Sequence, residues 1–237
     1  MSGAALPAFS YAFQPVVDVA AREVFSHEAL VRGPRGEPAY QVLQAVPADQ
    51  KYAFDQHSRA AAIALAMRLG LGGHLNLNVL PNALLSSDQA LVSTLAAARQ
   101  HGLPLERVVL EVTEGEAVTD YGQLAQLLNG YRSLGLKVAI DDFGAGYSGL
   151  NMLADFQPDQ VKVDMNLVRG IESHGPRQAI VRAVCQVCLE LGIDVIAEGV
   201  ETEAEYRWFR HQGVHLFQGW LFARPAFESL PPVHFPA

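Results

Sequence analysis

Carboxylates recur in this chain where apolar stretches end. Glu28 comes after Val24-Phe25, Glu111 after Val108-Val109-Leu110, Asp141-Asp142 after Val138-Ala139-Ile140, and Glu198 after Val195-Ile196-Ala197. Lys162 and Asp164 alternate with Val161 and Val163, and Asn78 follows Leu75 and Leu77. Charged groups are costly to bury singly, so a series of them at strand ends calls for a common reason. A shared metal site at one end of a parallel sheet supplies it. Oxygen donors without a histidine or cysteine cluster favour hard divalent cations, Mg²⁺ or Mn²⁺. The adjacent Asp141 and Asp142 can aim at two neighbouring sites, with one carboxylate bridging. Two such cations suit in-line displacement at phosphorus, one acting on the attacking water and the other on the phosphate charge. Lys162 adds a fixed positive charge within an acidic mouth. Val161 and Val163 point the other way under period-2 alternation, so Lys162 and Asp164 share a face.

Regular elements must carry these groups. Residues 11–17 and 23–31 read as two strands, and the turn-like 18–22 between them implies a hairpin. Helical periodicity runs over 49–69 and ends at Gly70. A strand follows at 74–79 and a helix at 87–101. From there strands at 107–112, 136–141, 160–163, 193–197 and 215–218 alternate with helices at 121–134, 176–191 and 202–212. That alternation implies βαβ units and a parallel sheet. Seven or eight short strands in 237 residues point to a closed TIM-like (β/α)8 barrel of α/β class, with one antiparallel strand near the N-terminus. In such barrels the C-terminal strand ends gather at one mouth, which turns the linear series into a spatial cluster. Asp and Asn also cap helices where strands end, so for Asn78 alone capping stays an open reading. Glu28, Glu111 and Glu198 are poor caps.

Half of the residues are apolar, 18% are charged, and the net charge is −8. This is the balance of an ordered globular chain. It argues against a broad face for a nucleic-acid polymer. Cys185 and Cys188 form a Cys-x-x-Cys with no second pair, and both fall on apolar positions of a helix. They read as small buried hydrophobes in a reduced, cytoplasmic setting. No signal peptide and no transmembrane run is visible. A single domain over 1–237 is expected, with its core at about 11–225 and no separate sensor domain. The loop Asp142-Phe143-Gly144-Ala145-Gly146-Tyr147-Ser148-Gly149 holds a Gly-x-Gly. Without a strand–GxGxxG–helix unit it reads as a loop beside the metals rather than a dinucleotide cradle.

Taken in order, these motifs resemble those of the EAL domain, a family of bacterial cyclic-di-GMP phosphodiesterases. Glu28-Ala29-Leu30 with Arg32 is similar to the naming motif, and Gln14-Pro15 precedes it. Asn78, Glu111-Val112-Thr113-Glu114, Asp141-Asp142-Phe143-Gly144, Lys162-Val163-Asp164, Glu198-Gly199-Val200-Glu201 and Gln218-Gly219-Trp220-Leu221-Phe222 resemble the family's later motifs. The resemblance runs from Tyr11 to Pro225. Gly149 stands for a usual serine, Ala145 for a usual threonine and Trp220 for a usual tyrosine; none of these removes a ligand. The segment 32–37 resembles EAL domains attached to blue-light sensors, though no light input is implied for this chain.

The resemblance implies hydrolysis of cyclic-di-GMP to linear pGpG with Mg²⁺ or Mn²⁺, two per active site. It implies that Glu28, Asn78, Glu111 and Asp141 hold one metal, that Asp141 bridges, and that Asp142 and Glu198 serve the second. Lys162 would orient or help deprotonate the attacking water, with Glu198 as its catalytic companion. Gln14, Arg32, Asp164, Glu201 and Gln218 would line the substrate site, and Glu114 would anchor the glycine loop. A homodimer and an unknown signalling partner are further expectations. The competing reading is a nucleotide receptor or protein-binding module with little catalysis. Members of that kind have usually lost ligands, and here every ligand position is filled.

Overall fold

A tight hairpin opens the fold. Strands β1 (Ser10–Asp18) and β2 (Glu23–Arg32) pair antiparallel. Between them Asp18 Oδ1 accepts the backbone N–H groups of Ala20 and Ala21 at 2.8 and 3.0 Å, an Asx turn that reverses the chain. The structure, a computed structural model, describes residues 6–86, 90–113, 118, 120–146 and 149–236, with the side chains of 149–151 left aside.

After β2 come α1 (Ala39–Ala45), α2 (Lys51–Arg68), β3 (His74–Val79), α3 (Pro81–Leu85), α4 (Val92–His101) and β4 (Val108–Thr113). Then follow α5 (Tyr121–Ser133), β5 (Lys137–Phe143), α6 (Gly149–Asp155), β6 (Gln160–Val163), α7 (Met165–Val168) and α8 (Gly175–Leu191). The chain continues through β7 (Asp194–Ala197), α9 (Glu203–His211), β8 (Leu216–Phe217) and β9 (Ala226–Phe227). Strands β2 to β8 run parallel in chain order. On its second edge β1 pairs antiparallel with β8, Val17 opposite Phe217 and Asp18 opposite Leu216. The sheet therefore closes on itself and leaves no open edge in the barrel. This is the TIM-like barrel with one antiparallel strand that the hairpin implied. β9 adds a short pairing to β1.

Alternation along each strand divides the core. Leu75, Leu77, Val108, Leu110, Val138, Ile140, Val161 and Val195 face outward and join one cluster with helix residues such as Ile63, Leu124, Leu128 and Val181. Inside the barrel, Val16, Ile196 and Leu216 form a separate buried cluster with Phe25 against them. One pleat further toward the C-terminal strand ends, the inward positions turn polar. Gln14 pairs across from Glu28, where Val16 pairs across from Ser26. The ionic groups thus gather at one end of the barrel interior, and Val16, Ile196 and Leu216 pack toward the other.

Several expected elements differ from those observed. The helix over 49–69 begins as a 3-10 turn at Ala48–Gln50 before α2. The helix expected at 87–101 runs over Val92–His101, and 87–89 lie outside the described residues. Helices α1, α3, α6 and α7 and strand β9 were not anticipated. Each spans seven residues or fewer, too short for periodicity to register. α8 ends where Gly192 takes φ 70° and Ile193 N–H bonds Cys188 O at 2.8 Å, a left-handed cap that glycine adopts at little cost. Cys185 and Cys188 are free thiols; burial pushes them up to about 11 and about 12. Among the described residues, no helix is long and apolar enough to cross a membrane.

Helix α9 begins with a capping box that also ties two loops together. Thr202 Oγ1 accepts the N–H of Glu205, and Glu205 Oε2 accepts those of Thr202 and Glu201, each at 3.0 Å. Glu205 Oε1 accepts Gly170 N–H at 3.0 Å. Desolvation alone would raise this carboxyl, but the N–H donors outweigh it and hold it below the usual 4.5. A group with a depressed folded value contributes stability above its unfolded value and loses it as pH falls through the folded one. Glu205→Gln, with one acceptor oxygen fewer, is therefore expected to cost about 1–3 kcal/mol at pH 7. In urea melts the gap from the native chain should shrink below pH 4.5. A gap that does not change with pH would refute the ionic cap.

Candidate active site

Lys162 sits at the centre of the barrel mouth, and its ammonium meets carboxylates from four strands. Nζ lies 2.7 Å from Glu111 Oε1, 2.7 Å from Glu198 Oε1, 3.0 Å from Asp141 Oδ1 and 3.4 Å from Glu28 Oε2. Lys162 and Glu111 are wholly buried. Glu28 is held from two sides, with Asn78 Nδ2 donating to Oε1 at 3.2 Å and Gln218 Nε2 to Oε2 at 2.7 Å. The capping alternative for Asn78 is thereby closed, since α3 has no side-chain cap. Glu28, Glu111 and Asp141 each offer an oxygen within 4.8 Å of the others, as do Asp141, Asp142 and Glu198. Asp141 belongs to both groups.

Neighbouring residues of a regular strand face opposite ways, so Asp141 and Asp142 need a local device to share a site. It is a bulge. The β5–β6 register slips between Ile140 and Phe143, and Asp142 takes φ 54°, in the left-handed region. Aspartate tolerates that region better than most residues, and bulges of this kind re-aim side chains. A second device fixes Gln218. Its N–H bonds Ala197 O at 2.9 Å, and Val200 N–H bonds Gln218 O at 3.1 Å. A Cβ on Gly219 would come within 2.0 Å of Val200 O, so only glycine lets the β8 turn close against the β7 turn.

Crowding of like charge shapes the electrostatics. Burial, with Glu28 and Asp141 nearby, pushes Glu111 up to about 8, against the opposing pull of Lys162. Burial likewise holds Glu198 well above the usual range. Asp142 rises to about 6 through burial, Asp141 and Asp164. Desolvation would lower Lys162, but Asp141, Glu111, Glu198 and Glu28 overcome it and raise it well above 10.5. Lys162 is therefore an ammonium at neutral pH. One ammonium against this many carboxylates leaves an excess of negative charge, which protons or divalent cations would neutralise.

The remaining candidates fall at different distances from this centre. Gln14, paired across from Glu28, donates from Nε2 to Ala223 O at 3.2 Å. Arg32 donates to Val31 O at 2.8 Å; desolvation lowers its guanidinium, and Glu28 pulls the other way. Asp164 caps α7, accepting Asn166 N–H at 2.9 Å, and raises Asp142 through its charge. Glu201 pairs with Arg169 at 2.8 Å on an exposed rim rather than with the cluster. Glu114, Tyr147 and Ser148 lie outside the described residues. Beside the mouth, a largely apolar cavity of about 400 Å³ lies between the outer face of β2 and β3 and helices α1 and α2, with Arg32 and Asn78 in its lining. Asn76 was not anticipated. It is fully buried and donates from Nδ2 to Glu111 Oε1 at 2.8 Å. In the sequence it lies between Leu75 and Leu77, inside an apolar run rather than at its end.

The donor set fits hard divalent cations. It is all oxygen, it divides into two groups sharing one aspartate, and Glu111 Oε2 is a buried carboxylate oxygen with no hydrogen-bond partner. A buried oxygen of that kind calls for a ligand. Comparison with known proteins agrees in kind. The model of the family described as EAL domain matches residues 4–225. The chain is similar to a standalone versatile EAL protein from Vibrio cholerae in its c-di-GMP-bound form, at 46% identity and a TM-score of 0.93 over 98% of each chain. It is similar to Klebsiella pneumoniae BlrP1 in a manganese and cy-diGMP complex, at 43% identity and a TM-score of 0.89, over 96% of this chain and 58% of that one. The blue light- and temperature-regulated antirepressor BluF of Escherichia coli is 34% identical over 227 residues. That match takes in 95% of this chain and 56% of BluF, so the chain spans about half the length of this curated relative.

Proposed function

The chain belongs to the EAL domain family, and on that premise we propose that it is a metal-dependent phosphodiesterase opening cyclic-di-GMP to linear pGpG. The observation that carries this reading is the position of Asp141 in both carboxylate groups, Glu28–Glu111–Asp141 and Asp141–Asp142–Glu198. Two Mg²⁺ or Mn²⁺ ions, when bound, supply Lewis-acid activation of water and neutralisation of phosphate charge. Glu28, Asn78, Glu111 and Asp141 would hold one, and Asp141, Asp142 and Glu198 the other. The protein's own part is orientation. Asn78 and Gln218 fix both oxygens of Glu28. Lys162, held among Glu28, Glu111, Asp141 and Glu198, would orient or help deprotonate the attacking water. Gln14, Arg32, Asp164, Glu201 and Gln218 are proposed to line the substrate site, and Glu114 to anchor the glycine loop. A homodimer in a cytoplasmic setting completes the proposal. Ile180, Val187 and Leu191 leave an exposed apolar stripe on α8 that self-association would cover.

The test is pGpG release with Mg²⁺ or Mn²⁺, comparing the native chain with Glu28→Ala. Loss of Glu28 removes a carboxylate that Lys162, Asn78 and Gln218 all engage. The rate should fall at least ~100-fold, beyond the usual effect of an outer partner. No metal-dependent turnover by the native chain would refute the reading. BluF, an antirepressor, favours a second one, in which the domain binds nucleotide and acts on a protein partner. Tight cyclic-di-GMP binding without cleavage in saturating Mn²⁺ would select it.

A further inference from the structure

Glu111 is anchored through one oxygen only. Its Oε1 receives Lys162 Nζ at 2.7 Å and Asn76 Nδ2 at 2.8 Å, while its buried Oε2 has no hydrogen-bond partner. Two donors on one oxygen fix the rotation of the carboxylate and leave the other oxygen's lone pairs free. Lys162 alone is a poor anchor, because its ammonium is shared with Glu28, Asp141 and Glu198 on a flexible stem. Asn76 is short, planar and fully buried, one pleat below Asn78 on the inner face of β3.

We propose that Asn76 is a positioning residue for cation binding, holding Glu111 so that Oε2 is presented to the metal site. The burial of Asn76 supports this. Its Oδ1 is buried and unpartnered, an arrangement that lowers folding stability. Its in-register neighbours are Val109 on β4 and Glu28 on β2, so it sits where the apolar part of the interior meets the carboxylates. Unlike the buried amide of Gln160, whose side-chain atoms have no partner, the amide of Asn76 meets a carboxylate of the cluster. Partners that orient metal ligands commonly change metal affinity when removed.

The inference rests on the two-cation reading, and the experiment separates the two. Mn²⁺ binding is followed by electron paramagnetic resonance of the free ion, and melting is measured without metal. The proteins are the native chain, Asn76→Leu, Asn76→Ala and Gln160→Met. Gln160 is the control: it is a fully buried inward amide whose side-chain atoms have no hydrogen-bond partner. Asn76→Leu and Asn76→Ala should each weaken Mn²⁺ binding ~10–100-fold. Asn76→Leu without metal should melt at or above the native temperature, and Gln160→Met should keep the native Kd. Native affinity in Asn76→Leu, or in Asn76→Ala should the leucine variant not fold, overturns the inference. Equal weakening by Gln160→Met overturns it too, since the effect would then belong to the layer. A native chain that binds no Mn²⁺ overturns the metal reading itself, and this inference with it.

Discussion

Asp141→Asn is expected to abolish metal-dependent hydrolysis while leaving the metal-free barrel at least as stable as the native one. Among the described residues, Asp141 is the carboxylate shared by the two acidic groups, so its loss would impair both proposed cation positions at once. Asparagine keeps the volume and one acceptor oxygen but removes the charge. A fall on the order of 10³-fold or more in the rate is expected, comparable to the loss of a principal electrostatic element of a site. The stability expectation comes from the same crowding. Asp141 raises Glu111, Asp142 and Glu198 by like-charge repulsion, and Lys162 keeps three other carboxylates within reach. Calorimetry on the metal-free variant should show no loss in Tm, and Mn²⁺, which is expected to raise the Tm of the native chain, should no longer raise that of the variant. A variant that hydrolyses cyclic-di-GMP at the native rate would remove Asp141 from the centre of the site.

That an aspartate pair could serve one mouth was legible in the sequence, but the reason it can do so was not. Period-2 alternation places Asp141 and Asp142 on opposite faces. The bulge after Ile140 and the left-handed Asp142 reconcile them, and neither leaves a mark in a single sequence. The hairpin, the parallel strands and the barrel were readable because β-branched apolar runs alternate with long periodic helices. The short helices α1, α3, α6 and α7 were not, because they bury too little to impose a pattern. The same limit applies within the site. Glu28, Glu111 and Glu198 stand out as charges after apolar runs, whereas Asn76 lies inside such a run and reads as an interruption. Glu201 shows the converse. It sits in a recognisable motif, yet its carboxylate pairs with Arg169 on the rim, a partner 32 positions away that no local spacing announces.

Lys162→Met should separate charge balance from chemistry. Methionine keeps most of the unbranched stem, so the buried volume is nearly filled, but the ammonium that meets Glu28, Glu111, Asp141 and Glu198 is lost. Removing one partner of a buried ionic arrangement leaves uncompensated charge and commonly costs about 3–5 kcal/mol, roughly 6–20 °C in Tm for a chain of this size. Added Mn²⁺ supplies positive charge to the same carboxylates, so it should raise the Tm of the variant more than that of the native chain. The rate then decides the role. If Lys162 served only to balance charge, saturating Mn²⁺ would restore both stability and turnover. If Nζ acts on the attacking water as proposed, Mn²⁺ should restore the fold but leave turnover ~100-fold or more below native. Full recovery of both in saturating Mn²⁺ would reduce Lys162 to a counter-ion for the metal-free state.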